Sequence, residues 1–422
     1  MNSLPEWLAY IERLHPKKWD LGLDRVKGVA ETLGLTEHRG IVFLVAGTNG
    51  KGSTCEFIDG LCRAKGLTVG KSTSPHLLAF NERIQVNGEP ASNAEIVDAF
   101  AAIESARDEI SLSYFEFAVL ASLIVFKRRD VDVLVLEIGL GGRLDAMNIV
   151  DRDVTVITQI ALDHQAWLGD TRDEIAAEKA AIMRTGKPCV IADRDPPLSL
   201  VQYAETLDVE AHYIGKDFDF VDGAVRIADQ QFSGITSSYL PKDSAAAAVQ
   251  ALISAGISLE AAEVREVLGN TFMPGRLQWI KGEPALLLDV AHNPAAAEYL
   301  RDYVSEHLKS RGSMKPAVHA VVGMYEDKDC PEVLRLLSDV VDHWHFTDLQ
   351  EERAASSGQL AENLKSTQNH RCQVVTYDKI QDAFNNAVRH CAIEDLIVVF
   401  GSFPVVAGVL QSASSHVSKE RS

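Results

Sequence analysis

The stretch 41–74, IVFLVAGTNGKGSTCEFIDGLCRAKGLTVGKSTS, limits the fold more than any other part of the chain. Residues 41–46 form an uninterrupted apolar run, rich in β-branched side chains and ended by Gly47, the pattern of a strand buried on both faces. Gly47-Thr48-Asn49-Gly50-Lys51-Gly52-Ser53-Thr54 comes next. Its three glycines let successive backbone N–H groups converge on an anion, its lysine can meet outer phosphates, and its hydroxyls suit a neighbouring Mg²⁺. Residues 55–65 read as a helix, with Phe57, Ile58 and Leu61 at helical spacing and Gly66 placed to end it. The N-terminus of such a helix turns its partial positive charge toward the loop. Residues 67–72 read as the next strand, which closes a βαβ unit and predicts an α/β fold with a parallel sheet.

The strict P-loop expression asks for glycine six residues before the lysine and Ser/Thr directly after it, whereas Val45 and Gly52 occupy those positions. The physical argument survives that mismatch. Three glycines around one lysine, between a strand and a helix, favour phosphate binding over a merely tight connection.

With 422 residues, 46% of them apolar and 24% charged, the chain has enough material for two or three globular domains. Its net charge of −19 excludes a general binder of nucleic acid or membrane surfaces, because the far field repels polyanions. An anionic ligand must then be attracted locally, by Lys51, Arg143, Lys179, Arg276 and Lys328 together with metal and backbone amides. The most apolar helical stretch, 117–126, is too short to span a bilayer, and residues 1–10 lack a secretory pattern. Six cysteines without CxxC spacing predict reduced thiols and a cytoplasmic protein.

Along the chain, 81–84 (Asn-Glu-Arg-Ile) reads as a charged surface loop, and Glu116 begins an apolar helix either as a helix-start group or as a ligand contact. Residues 131–136 form another buried strand that ends at Glu137, where parallel sheets gather ligand groups. A carboxylate there can hold Mg²⁺, or simply pair with Arg143. Residues 154–160 repeat the pattern and deliver Asp163-His164, a candidate metal or phosphate ligand. Lys179, in a run of small residues, reads on pattern alone as a snorkelling surface lysine. Residues 209–240 suggest a small antiparallel β excursion. The stretch 270–283, with Pro274, Gly275 and Gly282, reads as a linker region. The expected domains are 1–274 and 283–422, with 275–282 between them and a second strand–helix alternation that starts at the strand ending in Asp289.

Gly47 to Ser53, Ser72-Thr73-Ser74-Pro75-His76-Leu77, the segment from Leu136 through Gly141-Gly142-Arg143-Leu144-Asp145, Leu162-Asp163-His164, Glu178-Lys179-Ala180, Pro274-Gly275-Arg276 and Asp289-Val290-Ala291-His292-Asn293-Pro294 together resemble the folylpolyglutamate synthase family, a branch of the Mur ligases. The resemblance runs from about residue 4 to residue 410. It implies a Mur-ligase-like P-loop domain with a parallel sheet and a smaller C-terminal Rossmann-like α/β domain. It also implies ATP-dependent amide formation, in which a substrate carboxylate takes the γ-phosphoryl group and the amine of L-glutamate displaces phosphate.

Carried over by position, Gly47, Thr48, Asn49, Gly50, Lys51, Gly52 and Ser53 hold the phosphates, with Arg276 and Asp289 also on the nucleotide. Ser74, Glu137 and His164 hold Mg²⁺, and Lys179 matches a lysine that the family carbamylates, able to hold a second ion. Lys51, Lys179 and His164 are the implied catalytic groups. Asp20, Leu21, Gly22, Leu23, Ser113, Tyr114, Phe115, Glu116, Leu144, Asp145 and Ala146 resemble the dihydropteroate-binding segments of the bifunctional bacterial enzymes. The implied substrates are dihydropteroate, reduced folates, L-glutamate and ATP, handled by a cytoplasmic monomer that binds neither nucleic acid nor membrane. Two positions depart from the pattern: Ser244 stands where relatives place asparagine, and Pro404 where many carry histidine. A ligase that only extends folates and a non-catalytic nucleotide binder are the competing readings, and intact Lys51, Glu137, His164 and Lys179 oppose the latter.

Overall fold

A computed structural model describes residues 1–16, 20–236, 239–311, 316–366 and 372–419, with side chains to residue 413. Two compact units emerge: residues 1–161 with 165–272, and residues 162–164 with 273–422. Among the described residues the first unit holds an eight-stranded sheet. Its strands are β1 (Ile41–Ala46), β2 (Val69–Ser72), β3 (Ile84–Val86), β4 (Glu89–Pro90), β5 (Val133–Glu137), β6 (Val154–Ile157), β7 (Pro188–Ile191) and β8 (Glu210–Tyr213), in the order β4-β3-β2-β5-β1-β6-β7-β8.

The central strands are parallel and buried on both faces, as their unbroken apolar runs require. β3 and β4 add an antiparallel margin. The register sets Val45 beside Glu137 and Ser72 beside Leu136, so the C-terminal ends of β1, β2 and β5 finish together.

The helix after β1 runs Lys51–Ala64, starting four residues earlier than its apolar spacing indicates. Gly50, at φ 91°, is the residue at which the chain turns, so Lys51, Gly52, Ser53 and Thr54 already belong to the first turn. This helix packs against the helix Lys242–Ser254, whose Ala245, Ala246, Ala247 and Ala248 are all buried and permit close approach. The excursion at 209–240 divides. β8 joins the main sheet in parallel with β7, while β9 (Phe218–Val221), β10 (Ala224–Ile227) and β11 (Gln230–Ser233) form the antiparallel sheet. Residues 237 and 238 of that stretch lie outside the described residues.

Residues 81–84 are not a surface loop. A 3₁₀ turn, Phe80–Arg83, leads straight into β3, with Phe80 and Ile84 buried in the main core. Charged residues that alternate with apolar ones conceal that anchoring in the sequence.

The second unit carries a six-stranded sheet among its described residues: β12 (Gln278–Ile280), β13 (Ala285–Leu288), β14 (Val318–Val322), β15 (His343–Thr347), β16 (Gln373–Tyr377) and β17 (Leu396–Phe400). Their order is β12-β13-β17-β14-β15-β16. The stretch read as a linker therefore contains a strand, β12, which pairs antiparallel with β13. Residues 162–164 group with this unit, not with the strand that delivers them.

Trp344 on β15 has no exposed surface, and its ring lies 5.5 Å from that of Phe346 and 6.2 Å from that of Phe400. Its indole N–H finds no hydrogen-bond partner among the described residues. Trp344→Ala is expected to lower stability in urea denaturation by about 3–5 kcal/mol through loss of packing. Trp344→Phe, which also removes the unpartnered polar atom, should cost less than half as much. Equal losses would show that the N–H and not the ring area sets the stability.

Candidate active site

The loop after β1 is held from below by the strand beside it. The Thr48 N–H donates to the Gln159 carbonyl at 2.7 Å, the Thr48 hydroxyl to the Ala161 carbonyl at 3.0 Å, and the Asn49 amide to Gln159 Oε1 at 3.2 Å. A side chain at Gly47 would put its Cβ 1.8 Å from Thr158 Oγ1, and one at Gly50 would come 2.9 Å from Ser244 Oγ. Both glycines are therefore spatial requirements as well as turn residues. The helix's own bonding starts with the Thr54 N–H to the Gly50 carbonyl at 2.9 Å, which leaves the N–H groups of Lys51, Gly52 and Ser53 at its open end. Lys51 folds over the loop, with Nζ 3.2 Å from the Gly47 carbonyl and 3.1 Å from that of Thr48. Ser244 donates to the Gly50 carbonyl at 3.3 Å, so this departure from the family pattern supports the turn itself.

The neighbouring strand ends bring oxygen atoms together. Glu137 closes β5 and accepts the Ser74 N–H at 2.9 Å. Ser72, Thr73, Ser74, Arg83, Phe115, Glu137 and Met147 line one small pocket there. Arg83, absent from the sequence-based candidates, lies over the Tyr114 and Phe80 rings at 5.6 and 5.7 Å and donates to His76 Nδ1 at 2.8 Å. Burial pulls its guanidinium below the usual range. Only the tertiary fold reveals it, since its neighbours in sequence are those of a surface turn.

The glycine-rich chain beyond β5 packs on two sides. A Cβ on Gly139 would lie 2.6 Å from Phe115 Cζ, and one on Gly142 would lie 2.7 Å from the Glu178 carbonyl and 3.1 Å from Lys179 Cα. Asp145 fastens this loop by accepting the N–H groups of Gly139 at 3.0 Å and of Leu140 and Met147 at 2.9 Å. Burial pushes its carboxyl up to about 6 against those donors. Lys179 is only 4% exposed, which overturns the snorkelling reading. Its helix, Arg172–Ala180, is too short for hydrophobic periodicity to reveal which side faces inward. Ala146 follows Asp145 into the core, whereas Leu144 is 41% exposed.

The remaining predicted residues of this unit form one polar chain. Asp20 pairs with Arg25 at 2.8 Å and with His15 at 3.1 Å, and Arg25 reaches Glu116 at 3.2 Å. Glu116 accepts the Ser113 N–H at 2.7 Å while Ser113 Oγ accepts that of Glu116 at 3.3 Å. This reciprocal cap makes Glu116 a helix-start residue of Tyr114–Arg129. Leu21, Gly22 and Leu23 are half-buried beside it.

In the second unit, Asp289 accepts the N–H groups of Leu277 at 2.8 Å and Ala291 at 2.7 Å, and its burial raises the carboxyl's pKa. Arg276 lies over the Phe403 ring at 5.4 Å. Asp163 receives Lys328 Nζ at 2.6 Å and the Asn293 amide at 3.3 Å, with His292 Nε2 at 3.5 Å. Burial acts to raise its pKa, but His292, His164 and Lys328 hold it well below the carboxylate range. His164 takes a left-handed conformation, φ 53°, directly after it.

Residues 45–242 match the profile of the Mur ligase middle domain, and residues 275–403 that of the Mur ligase, glutamate ligase domain. The chain is 39% identical to the dihydrofolate synthase/folylpolyglutamate synthase of Escherichia coli K12, an alignment that covers 97% of this chain and 95% of that protein. It belongs to the dihydrofolate synthase/folylpolyglutamate synthase family of Mur ligases. Solved members of that family share its fold. E. coli FolC in complex with DHPP and ADP superposes with a TM-score of 0.92 at 38% identity, covering 98% of each chain. The bifunctional Yersinia pestis enzyme complexed with AMPPNP and Mn gives 0.91 at 40% identity, again over 98% of both chains. The family's expected α/β architecture, with a Mur ligase middle domain and a glutamate ligase domain, is the one observed.

Within this family member, His76 provides a pH test of the Ser74 segment. Burial, reinforced by the Arg83 charge, lowers its pKa to about 4 from a reference of 6.5. A depressed histidine contributes stability that is complete above about 6.5 and is lost as pH falls through about 4, because the unfolded chain binds the proton first. In urea denaturation, His76→Gln, whose amide oxygen can still accept from Arg83, should therefore show a smaller loss of stability than the parent between pH 7 and pH 4.5. Parallel losses would remove His76 from the pH response.

Proposed function

We propose that this protein is an ATP-dependent ligase that joins L-glutamate to dihydropteroate, giving dihydrofolate, and to the γ-carboxylate of reduced folates, giving folylpolyglutamates. One observation carries the reading: the anion cradle at Gly47 to Ser53 and the Ser74–Glu137 oxygen pair end adjacent strands of one parallel sheet. Phosphoryl transfer asks for little else than positioning and charge neutralisation.

In the first step a substrate carboxylate oxygen attacks the γ-phosphorus, the bond to the β-phosphate oxygen breaks, and ADP leaves. Lys51, released from the Gly47 and Thr48 carbonyls, and the N–H groups of Gly52 and Ser53 bind and orient the phosphates, with Thr48, Asn49 and Gly50 shaping the cradle. The cradle fits a phosphate chain because the N–H groups of Lys51, Gly52 and Ser53 stand at the open helix end beside the Lys51 ammonium, in a loop whose tight turn only glycine at 47 and 50 allows. In the second step the amine of glutamate attacks the acyl carbon, the C–O bond to phosphate breaks, and the nitrogen loses its proton. Mg²⁺, one or two ions, supplies charge neutralisation when bound, and the hard oxygens of Ser74 and Glu137 suit it. We assign His164 to the same ion, Lys179 as a carbamate to the second, and Arg276 and Asp289 to the nucleotide. Phe115, packed on Gly139, offers an aromatic face for a pterin. The Asp20–Arg25–Glu116–Ser113 chain holds that helix end in place, with Leu21 to Leu23, Tyr114 and Leu144 to Ala146 around the substrate.

The division proposed is 1–274 for nucleotide binding, 275–282 as connection and 283–422 for glutamate ligation. Cys55, Cys62, Cys189, Cys330 and Cys391 are free thiols, which supports a reducing, cytoplasmic setting. No helix among the described residues is long and apolar enough to cross a membrane. The charge of −19 supports small-molecule partners over nucleic acid, and we take the protein to act as a monomer.

Purified protein with MgATP and L-glutamate should release phosphate with either dihydropteroate or a reduced folate. Release with the folate alone would leave only the chain-extending activity. Lys51→Ala and Glu137→Gln should each slow turnover by roughly two to three orders of magnitude, the effect of losing one preorganised charge-stabilising group. Turnover within twofold of the parent would reject the site.

For Lys179, native mass measurement of the active protein at ambient bicarbonate should find the carbamate increment, lost on acidification. A free amine in the active protein would sink the assignment.

A further inference from the structure

The C-terminal sheet has a second polar centre, at the opposite ends of its strands. His319 is the second residue of β14 and is 2% exposed, and Asp395, 8% exposed, immediately precedes β17. Cys391, half-buried, follows the helix Ile380–His390 and starts the turn that Asp395 completes. Asp395 anchors that turn by accepting the N–H groups of Ala317 at 2.8 Å and Ala392 at 2.7 Å. One ligand atom from each of His319, Cys391 and Asp395 lies within 4.8 Å of the others.

A hydrogen-bond relay fixes which nitrogen of His319 faces the cluster. The Tyr377 hydroxyl spends its single proton on Asn386 Oδ1, 2.6 Å away, so toward His345 Nδ1, at 3.3 Å, it can only accept. His345 therefore carries its proton on Nδ1 and presents a lone pair at Nε2. His319 Nδ1, 3.3 Å from that lone pair, must be the donor. Nε2 of His319 is left with the lone pair and lies 3.8 Å from Asp395 Oδ2. That separation is too long for a hydrogen bond. Two electron-rich atoms thus face each other in a buried site beside a thiol.

We propose that His319 Nε2, Cys391 Sγ and an Asp395 carboxylate oxygen bind a divalent transition metal ion of the Zn²⁺ class. Imidazole, thiolate and carboxylate together select such an ion over Mg²⁺ or Ca²⁺, and binding expels the thiol proton to solvent. With metal–ligand bonds of about 2.0–2.3 Å, tetrahedral ligand atoms stand about 3.3–3.8 Å apart, which the His319–Asp395 pair already satisfies. Bringing in Cys391 takes a movement on the order of 1 Å. His345, Tyr377 and Asn386 form the outer chain that orients the ligand ring, as carboxylates or carbonyls do around other metal-bound histidines. The ion would clamp β14 to the turn before β17.

The full-length protein, freed of metal and held in excess Mg²⁺ to fill hard oxygen sites, should take up one equivalent of Co²⁺ with a thiolate-to-cobalt charge-transfer band. That band should vanish in Cys391→Ser and persist in Cys372→Ser. In the parent chain, one equivalent of Zn²⁺ should slow alkylation of Cys391 at least tenfold, read by peptide mass, and leave Cys372 unaffected. Absence of the band, its persistence in Cys391→Ser, or an unchanged alkylation rate would each overturn the site. The alkylation measurement decides the question even if the serine variant does not fold.

Discussion

The register of three parallel strands determines what this molecule can do. Ile41 to Val45 on β1 pair with Val133 to Glu137 on β5, and Val69 to Ser72 on β2 pair with Val133 to Leu136 on the other side. A slip of one residue would turn Glu137 to the opposite face of the sheet and remove the carboxylate from the Ser74 N–H. Apolar burial on both faces makes such a slip costly, since every residue of β5 is buried. The chemistry at the strand ends therefore rests on an ordinary hydrophobic core, and the loop residues inherit their positions from it.

A second interaction locks the helix after the glycine-rich loop to β2, the strand that leads to Ser74. Lys71 on β2 is 1% exposed and pairs with Glu56 and, at 3.6 Å, with Asp59, both on the helix Lys51–Ala64. Arg63 closes the group on Asp59 at 3.0 Å. A buried ion pair adds little net stability compared with a well-packed apolar replacement, yet breaking one by removing a partner costs about 3–5 kcal/mol. Its effect here is directional. Apolar packing alone would tolerate small slides of the helix along the sheet, whereas a lysine shared between carboxylates one turn apart defines a single position. The open N-terminus of that helix and the Ser74–Glu137 pair are fixed relative to each other by the same contact.

How legible these features were in the sequence depended on whether their cause is local. The strand–loop–helix unit was legible because its apolar run and its glycines are consecutive residues, while the contact of Gly47 with Thr158, which leaves no room for a Cβ, comes only with the fold. Glu137 was legible because a carboxylate at the end of an apolar run is an unusual pairing. Glu116 stayed ambiguous until Ser113 proved to be its partner, although the Ser-x-x-Glu spacing was the available signal. Lys179 was misread because its burial comes from the Gly142 loop packing across its backbone, a contact 37 residues distant in sequence. Arg83 was missed for the same reason, since Tyr114, whose ring it covers, lies 31 residues away on another element. The His319–His345–Tyr377 relay belongs to this class as well. Its members come from three strands, and only their alternation onto one face of the sheet brings them together.

The acidic character of the chain is compatible with anionic substrates because long-range and short-range electrostatics operate on different scales. At physiological salt, exposed charges more than about 8 Å apart are largely screened, so a net charge of −19 slows approach more than it weakens a bound state. In the proposed phosphate site the relevant groups are a helix N-terminus, Lys51 and backbone amides, all preorganised and held in a medium of lower dielectric. Lys51 illustrates the exchange. Its ammonium rests on the carbonyls of Gly47 and Thr48, which are neutral dipoles. Moving to a phosphate oxygen replaces two neutral acceptors with a charged one, and a charge-assisted hydrogen bond is roughly twice as strong as a neutral one. In the proposed site the lysine is thus held beside the phosphate position by contacts weak enough to exchange.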